Sequence, residues 1–422
     1  MADPATPAGG VRALSSRWAR LLAVVAVIGP GIITANVDND AGGIATYSQA
    51  GAAFGYSLLW TLIPITVALI VVQEMCARMG VVTGKGLSDL IRERFGVKAT
   101  FYVMLALVIA NLGNTMAEFA GVAEALEIFG VSRYLSVPLV AFTVWLLVLK
   151  GSARVVERIF LAACIFYVAY VIAGFLARPD WGNVALGTFK PTLTVDGPAL
   201  TMVVTLVGTT IAPWMQFYLQ SAIVEKGVQV EDYPLSRLDV IVGCIVTDVV
   251  AFFIVLACGA TIFKAGGRIE TAGDAAVALK PLAGRWASAL FAFGLFNASL
   301  FAASVLPLST SYYVCEAFGW ESGIDRRRED APQFYFLYET MIVLGAGLVL
   351  LPGLPLLRIM LLSQTANGVL LPFILIFMLL LAGDERLMGR YRNGRALTAF
   401  AWATAAVLIV LTAMMLWFTL RP

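Results

Sequence analysis

The chain of 422 residues is 60% apolar and 13% charged, with a mean hydropathy of +0.87. Soluble domains hold about 45–50% apolar and about 25% charged residues, so a water-soluble fold is excluded. The net charge of +2 is carried in short basic clusters between apolar segments and excludes a nucleic-acid-binding stripe.

Residues 1–17 are polar and lack the charged, apolar and cleavage-site order of a signal peptide, so they read as a tail ahead of a retained first span. From Leu21 to Leu420, apolar stretches of about 18 residues or more recur, each long enough for a hydrocarbon core roughly 30 Å thick. They predict eleven membrane helices near 20–52, 56–80, 98–128, 134–150, 156–177, 196–224, 237–264, 283–316, 333–351, 356–382 and 395–420.

The first span carries Gly29-Pro30-Gly31 and then Asn36-Val37-Asp38-Asn39-Asp40-Ala41-Gly42-Gly43, two carboxylates and two adjacent glycines where lipid-buried helix is expected. The sixth carries Gly208-Thr209-Thr210-Ile211-Ala212-Pro213-Trp214, with a proline in mid-span that removes a backbone donor and clashes with the preceding turn. Unwound backbone persists at membrane depth only where it lines a cavity. Breaks in spans one and six are also what two inverted five-helix repeats require, with substrate held at their interface. That spacing places the repeats at 18–180 and 196–384, with 395–422 as an additional helix and terminus.

Basic residues between the spans alternate. Arg12, Arg17, Arg20, Arg78, Lys85, Arg92, Arg94, Lys98, Lys150, Arg154, Arg158, Lys226, Arg237, Arg326, Arg327, Arg328, Arg386, Arg390, Arg392 and Arg395 fall on one side, against Lys264, Arg268, Lys280 and Arg285 on the other. The positive-inside rule then gives an inner-membrane protein with a cytoplasmic amino terminus and an external carboxyl terminus. Cys76, Cys164, Cys244, Cys258 and Cys315 show no CxxC spacing and read as small buried hydrophobes. The absence of histidine removes the side chain best suited to relaying protons near neutral pH.

The stretch GPGIITANVDNDAGGIATYSQAGAAFGYSLLW resembles, without a gap, the first helix and exit loop of the NRAMP divalent-metal transporters. VTGKGLSDLIRERFG, GTTIAPW, LFAFGLFNASLFAAS and LLSQTANGVLLPF extend the resemblance over most of the chain. It implies a leucine-transporter-like fold, alternating access, a divalent metal ion as partner and a monomeric transport unit. The departures are specific. Where the family breaks its first helix at Asp-Pro-Gly-Asn, this chain has Asp40-Ala41-Gly42-Gly43, and where the sixth helix carries Met-Pro-His it has Ala212-Pro213-Trp214.

Asp40 is therefore kept as the acidic ligand, while Gly43 replaces the asparagine and Ala212 the methionine. Thioether selects soft transition metals, whereas Mg²⁺ takes oxygen and keeps several waters. Losing sulfur and emptying volume beside the acid implies a partly hydrated Mg²⁺ as cargo, with Mn²⁺ as the second ion in view and no cofactor. The pattern resembles the NRAMP-related magnesium transporter branch. By the same resemblance Val37 and Thr209 offer backbone carbonyls, Gln364 a contact through water, and Glu118 a second carboxylate. Trp214 and Gly121 stand where the family's proton route has a histidine and an acid, which implies passive, uncoupled transport.

Asp38, two residues before Asp40, points away from it on a helix and reads equally as pathway or structural partner. Glu124 and Glu127 read as solvated, and Asp248, Asn297 and Glu339 as intramembrane polar groups without an assigned role. The alternatives are a proton-coupled Mn²⁺/Fe²⁺ transporter, a sodium-coupled amino-acid transporter, disfavoured because Asp40 repels a carboxylate, and a non-transporting sensor. An enzyme is not expected, since GxxxxGK[ST], HExxH and the nucleophile elbow are missing.

Overall fold

The computed structural model describes residues 30–150, 167–192, 194–280, 284–324 and 326–420. The tail 1–17, the first residues of spans one and five, Cys164, and Arg12, Arg17, Arg20, Arg154 and Arg158 lie outside these.

The first span is α1 (Pro30–Asn36), one 3-10 turn (Val37–Asn39), and α2 (Ala41–Phe54). Then come α3 (Leu59–Thr83), α4 (Leu87–Glu127), α5 (Arg133–Lys150), α6 (Val168–Leu176) and α7 (Trp181–Phe189). The sixth span is α8 (Gly197–Thr210) and α9 (Pro213–Glu225). It is followed by α10 (Tyr233–Cys258, continued by a π-turn), α11 (Ala287–Phe318), α12 (Pro332–Val349), α13 (Leu356–Ala382) and α14 (Arg395–Leu420). Among the described residues, seven helical stretches are long and apolar enough to cross a membrane by themselves.

Two boundaries differ from the sequence reading. Hydropathy starts the third span at residue 98, but α4 starts at Leu87 and bends at Gly96, whose φ of 79° is open to glycine and strained for other residues. The limb before the bend holds Asp89, Arg92, Glu93 and Arg94, which is why hydropathy does not reveal it. The second is α7, a short helix in the stretch expected to link the repeats. Asp180 caps it by accepting from the amides of Gly182 and Asn183 at 3.0 and 3.2 Å.

The interior is packed through small residues. A Cβ on Gly208 would lie 2.1 Å from the Gln364 carbonyl, and one on Gly368 would lie 2.3 Å from the Val204 carbonyl. The backbones of α8 and α13 therefore touch, the contact that membrane helices use where lipid gives no hydrophobic drive between them. Likewise α10 meets α1, since a Cβ on Gly31 would fall 2.7 Å from the Val240 nitrogen and the Gly31 amide donates to Asp239 Oδ2 at 2.7 Å. Large apolar side chains such as Ile109, Leu139, Phe142 and Val343 face outward. Cys76, Cys244, Cys258 and Cys315 are buried free thiols.

Candidate metal-ion site

The two breaks have different local causes. In the first span Asp40 is extended (ψ −173°), and its Oδ1 accepts from the Gly43 amide at 2.6 Å, which makes it the N-cap of α2. In an unbroken helix the Ala41 amide would serve the Val37 carbonyl; here it donates to Glu118 Oε2 at 3.2 Å. In the sixth span Ile211 (φ −123°, ψ 55°) and Ala212 (φ −62°, ψ 134°) leave the helix, and Pro213 opens α9. Pro213 stands four residues after Thr209 and has no N–H, so the Thr209 carbonyl lacks its helical donor. Amino ends of α2 and α9, partly positive, thus flank an acid, while carbonyl ends of α1 and α8 are left for a cation.

Of the residues singled out in the sequence, Asp40, Glu118, Gly43, Val37 and Gln364 are brought together around the first break. Asp40 and Glu118 are 5% and 0% exposed, and their carboxyl groups interact directly. Gln364 lies against the start of α2, since a Cβ on Gly42 would be 1.9 Å from its Nε2. That nitrogen has no hydrogen-bond partner, while Oε1 accepts from Asn367 at 3.0 Å. Thr209 and Ala212 are buried at the second break, with the Thr209 hydroxyl unpartnered. The Ala212 carbonyl accepts from Gln216 Nε2 at 3.0 Å. Trp214 is 2% exposed in the first turn of α9, tilted against Tyr218 with ring centroids 6.2 Å apart.

One expectation about space is corrected. The volume expected at Gly43 is filled, because a Cβ there would fall 2.1 Å from the Asp38 carbonyl and 3.4 Å from Asp40 Oδ1. The 3-10 turn brings that carbonyl over the start of α2, so glycine serves the tight turn and leaves no cavity. Gly121, read from the sequence as a lost acid, has no room for a side chain: a Cβ there would stand 2.3 Å from Ser299 Oγ and 2.4 Å from the Ala41 methyl. Any acid at 121 would need α2 or α11 to move.

Glu124, expected to be solvated, accepts from the Ala272 amide at 3.0 Å and ties α4 to the segment between α10 and α11. Glu339 accepts from Trp145 Nε1 at 3.0 Å and pairs with Arg328 at 2.8 Å, a clamp between α12 and α5. Arg78, counted as a loop charge, is buried within α3 and bound to Glu74, the Tyr391 carbonyl and Asn393.

Sequence reasoning missed the support behind Gln364. Asn367 and Asn114 exchange amide hydrogen bonds at 3.0 and 3.1 Å, and Asn111 donates to Thr310 Oγ1 at 2.7 Å and the Leu306 carbonyl at 2.8 Å. Asn111 and Asn114 share one face of α4 three residues apart, the signal that could have found them. Among the described residues no group of three or more His, Cys, Asp or Glu side chains converges. Two carboxylates with backbone carbonyls and water are what the junction can offer an ion.

The same architecture recurs in solved transporters. A manganese transporter of Eremococcus coleocola superposes with a TM-score of 0.77 at 21% identity, covering 96% of this chain and 87% of that one. Mhp1, a nucleobase-cation-symport-1 family transporter, superposes at 0.57 with 15% identity over 93% and 91%. The fold is thus all-α, polytopic and leucine-transporter-like, with two inverted five-helix repeats and broken helices in spans one and six.

A profile of the family described as natural resistance-associated macrophage protein-like, Nramp, matches residues 31–418, and the chain belongs to that family. The divalent metal cation transporter MntH of Ralstonia nicotianae is 31% identical over 419 residues, 95% of this chain and 92% of its own. MntH of Deinococcus radiodurans is 29% identical over 408 residues, 93% and 90%.

Proposed function

We propose that this multi-pass membrane protein carries Mg²⁺, partly hydrated, across the membrane by alternating access, passively and without obligatory proton coupling. Divalent metal transport is the activity of its family; the choice of ion rests on the departures at the junction. The observation that carries it is the meeting of Asp40 and Glu118 at the first helix break, together with a methyl group and no sulfur at position 212 in the second. Two buried carboxylates attract a dication through low-dielectric surroundings without direct bonds, which suits an ion that keeps its inner waters. The carbonyls of Val37 and Thr209 complete an oxygen-only set.

The lack of coupling is supported by Trp214 and by the closed packing at Gly121, neither of which can hold a proton. The basic clusters favour a cytoplasmic amino terminus, and a single chain holds both breaks, which supports a monomeric unit. The second reading is proton-coupled transport of Mn²⁺ or Fe²⁺. It is favoured by the relatives' description as divalent metal cation transporters and by manganese transport in the Eremococcus protein.

Proteoliposomes separate the two. Mg²⁺ influx at millimolar concentration with unchanged internal pH is expected; Fe²⁺ influx with stoichiometric acidification and no Mg²⁺ flux would overturn the proposal.

A further inference from the structure

Beside the Asp40 junction lies a second acidic cluster that the transport reading does not use. Asp38 is 2% exposed; its Oδ2 accepts from the Tyr47 hydroxyl at 3.1 Å, and its Oδ1 has no partner. Asp248, in the middle of α10, is 5% exposed; the hydroxyl beside it, that of Thr66, donates to the Leu62 carbonyl at 2.7 Å, and among the described residues neither carboxylate oxygen has a hydrogen-bond partner of its own. The two acids repel one another, and Asp248 acts on Asp38 more strongly than Asp40 does.

A third, uncharged donor belongs to the same place. Asn39 spends its amide nitrogen on Thr247 Oγ1 at 2.6 Å, on the residue before Asp248, and its Oδ1 is left buried and unpartnered. Holding the amide by its nitrogen fixes the free oxygen at the seam between the 3-10 turn and α10. Among the described residues four buried oxygens thus have no hydrogen-bond partner: Asp38 Oδ1, Asn39 Oδ1 and both of Asp248. Orphaned carboxylates at membrane depth are costly and persist where a cation or a function holds them.

We propose that Asp38, Asn39 and Asp248 form a second divalent-cation site, distinct from the Asp40 junction, in which a hydrated ion is held between the 3-10 turn of the first span and α10. Its donors are all oxygen, and its two negative charges match one dication, the set that hard cations take. The site reaches the sixth span through side chains, because Tyr47 joins Asp38 to Thr210 Oγ1 at 2.7 Å, one residue beyond Thr209. An ion here neutralises the acids on one side of the first break and holds the turn whose Val37 and Asp38 carbonyls bound the transport site. Only the identity of the cation rests on the function proposed above.

Equilibrium binding to the purified full chain tests this, with Mn²⁺ followed by spin resonance and Mg²⁺ by calorimetry. Wild type is expected to bind two ions, and Asp248→Asn and Asp40→Ala one each. In proteoliposomes Asp248→Asn should raise the half-saturating Mg²⁺ concentration about tenfold, the scale on which losing a supporting carboxylate weakens metal sites. Should Asp248→Asn not fold, Asp38→Asn is expected to bind one ion and the charge-keeping Asp248→Glu two. A single ion in wild type, lost in Asp40→Ala and unaffected by Asp248→Asn or Asp38→Asn, overturns the second site alone. Two ions, one removed by Asp248→Asn, with flux indifferent to Asp40→Ala, overturn the transport assignment and leave the second site standing.

Discussion

Asp40 performs two tasks that a substitution can separate. It caps α2 through Gly43, and it brings a negative charge to the break. Asparagine caps helices about as well as aspartate. Asp40→Asn is therefore expected to keep the thermal midpoint within a few degrees of wild type while abolishing Mg²⁺ flux; retained flux in a folded Asp40→Asn would remove Asp40 from the site. The neighbouring glycines are a second residue-scale pair. A methyl group on Gly42 meets the flexible end of Gln364 at 1.9 Å, whereas one on Gly43 meets the Asp38 backbone carbonyl at 2.1 Å. Side chains yield where backbone does not. Gly42→Ala should displace Gln364 and lower flux to the level of Gln364→Ala with little change in melting. Gly43→Ala should cost about 1–3 kcal/mol in stability, the usual range for overpacking. Equal melting of the two variants would contradict that difference.

At the scale of elements, each break has its own device. The first turns on a capping acid and a diverted amide, the second on a proline. Replacing Pro213 by alanine returns an N–H to the position that pairs with Thr209, which lets α8 and α9 approach one continuous helix. Pro213→Ala is expected to lower Mg²⁺ affinity about tenfold, because the Thr209 carbonyl regains a helical donor and is no longer free for the ion. Unchanged affinity would show that the Thr209 carbonyl has no part in binding. The breaks are held in register by α13, whose Gly368 lies against α8 and whose Gln364 reaches α2. One helix thus senses both.

Across the whole molecule, the junction is closed to solvent, with Asp40 at 5% and Glu118 at 0% exposure. Alternating access requires that closure to be reversible on each side in turn. On the side carrying the basic clusters a latch is built around Arg78. Its guanidinium binds the Tyr391 carbonyl at 2.9 Å, the Asn393 side chain at 2.5 Å and Glu74 at 3.3 Å, and Glu74 also accepts from Tyr233. The loop before α14 is thereby tied to α3 and to the start of α10. Breaking one partner of a buried ion pair costs about 3–5 kcal/mol, because the other charge is left uncompensated. Arg78→Ala should lower the thermal midpoint, and Arg78→Ala with Glu74→Gln should lower it less than the sum of the singles. Additive effects would show the two residues to be uncoupled.

Features that arise within one stretch of chain were readable from the residues. Helices show in runs of apolar residues long enough for the bilayer, and both breaks show in proline, glycine and acid at mid-span, because those residues act on their own backbone within a turn. The acid at 40 was legible for the same reason, and the missing sulfur at 212 through the resemblance to the NRAMP family. What meets what came from the packing of the helices: that Glu118 takes the Ala41 amide, that Gln364 rests on Gly42, that the space at Gly43 and Gly121 is already filled, and that Asn39 binds Thr247, which sets Asp38 and Asp248 near one another. Such pairings depend on close approach between helices remote in sequence, and no residue's own propensity encodes its distant neighbour.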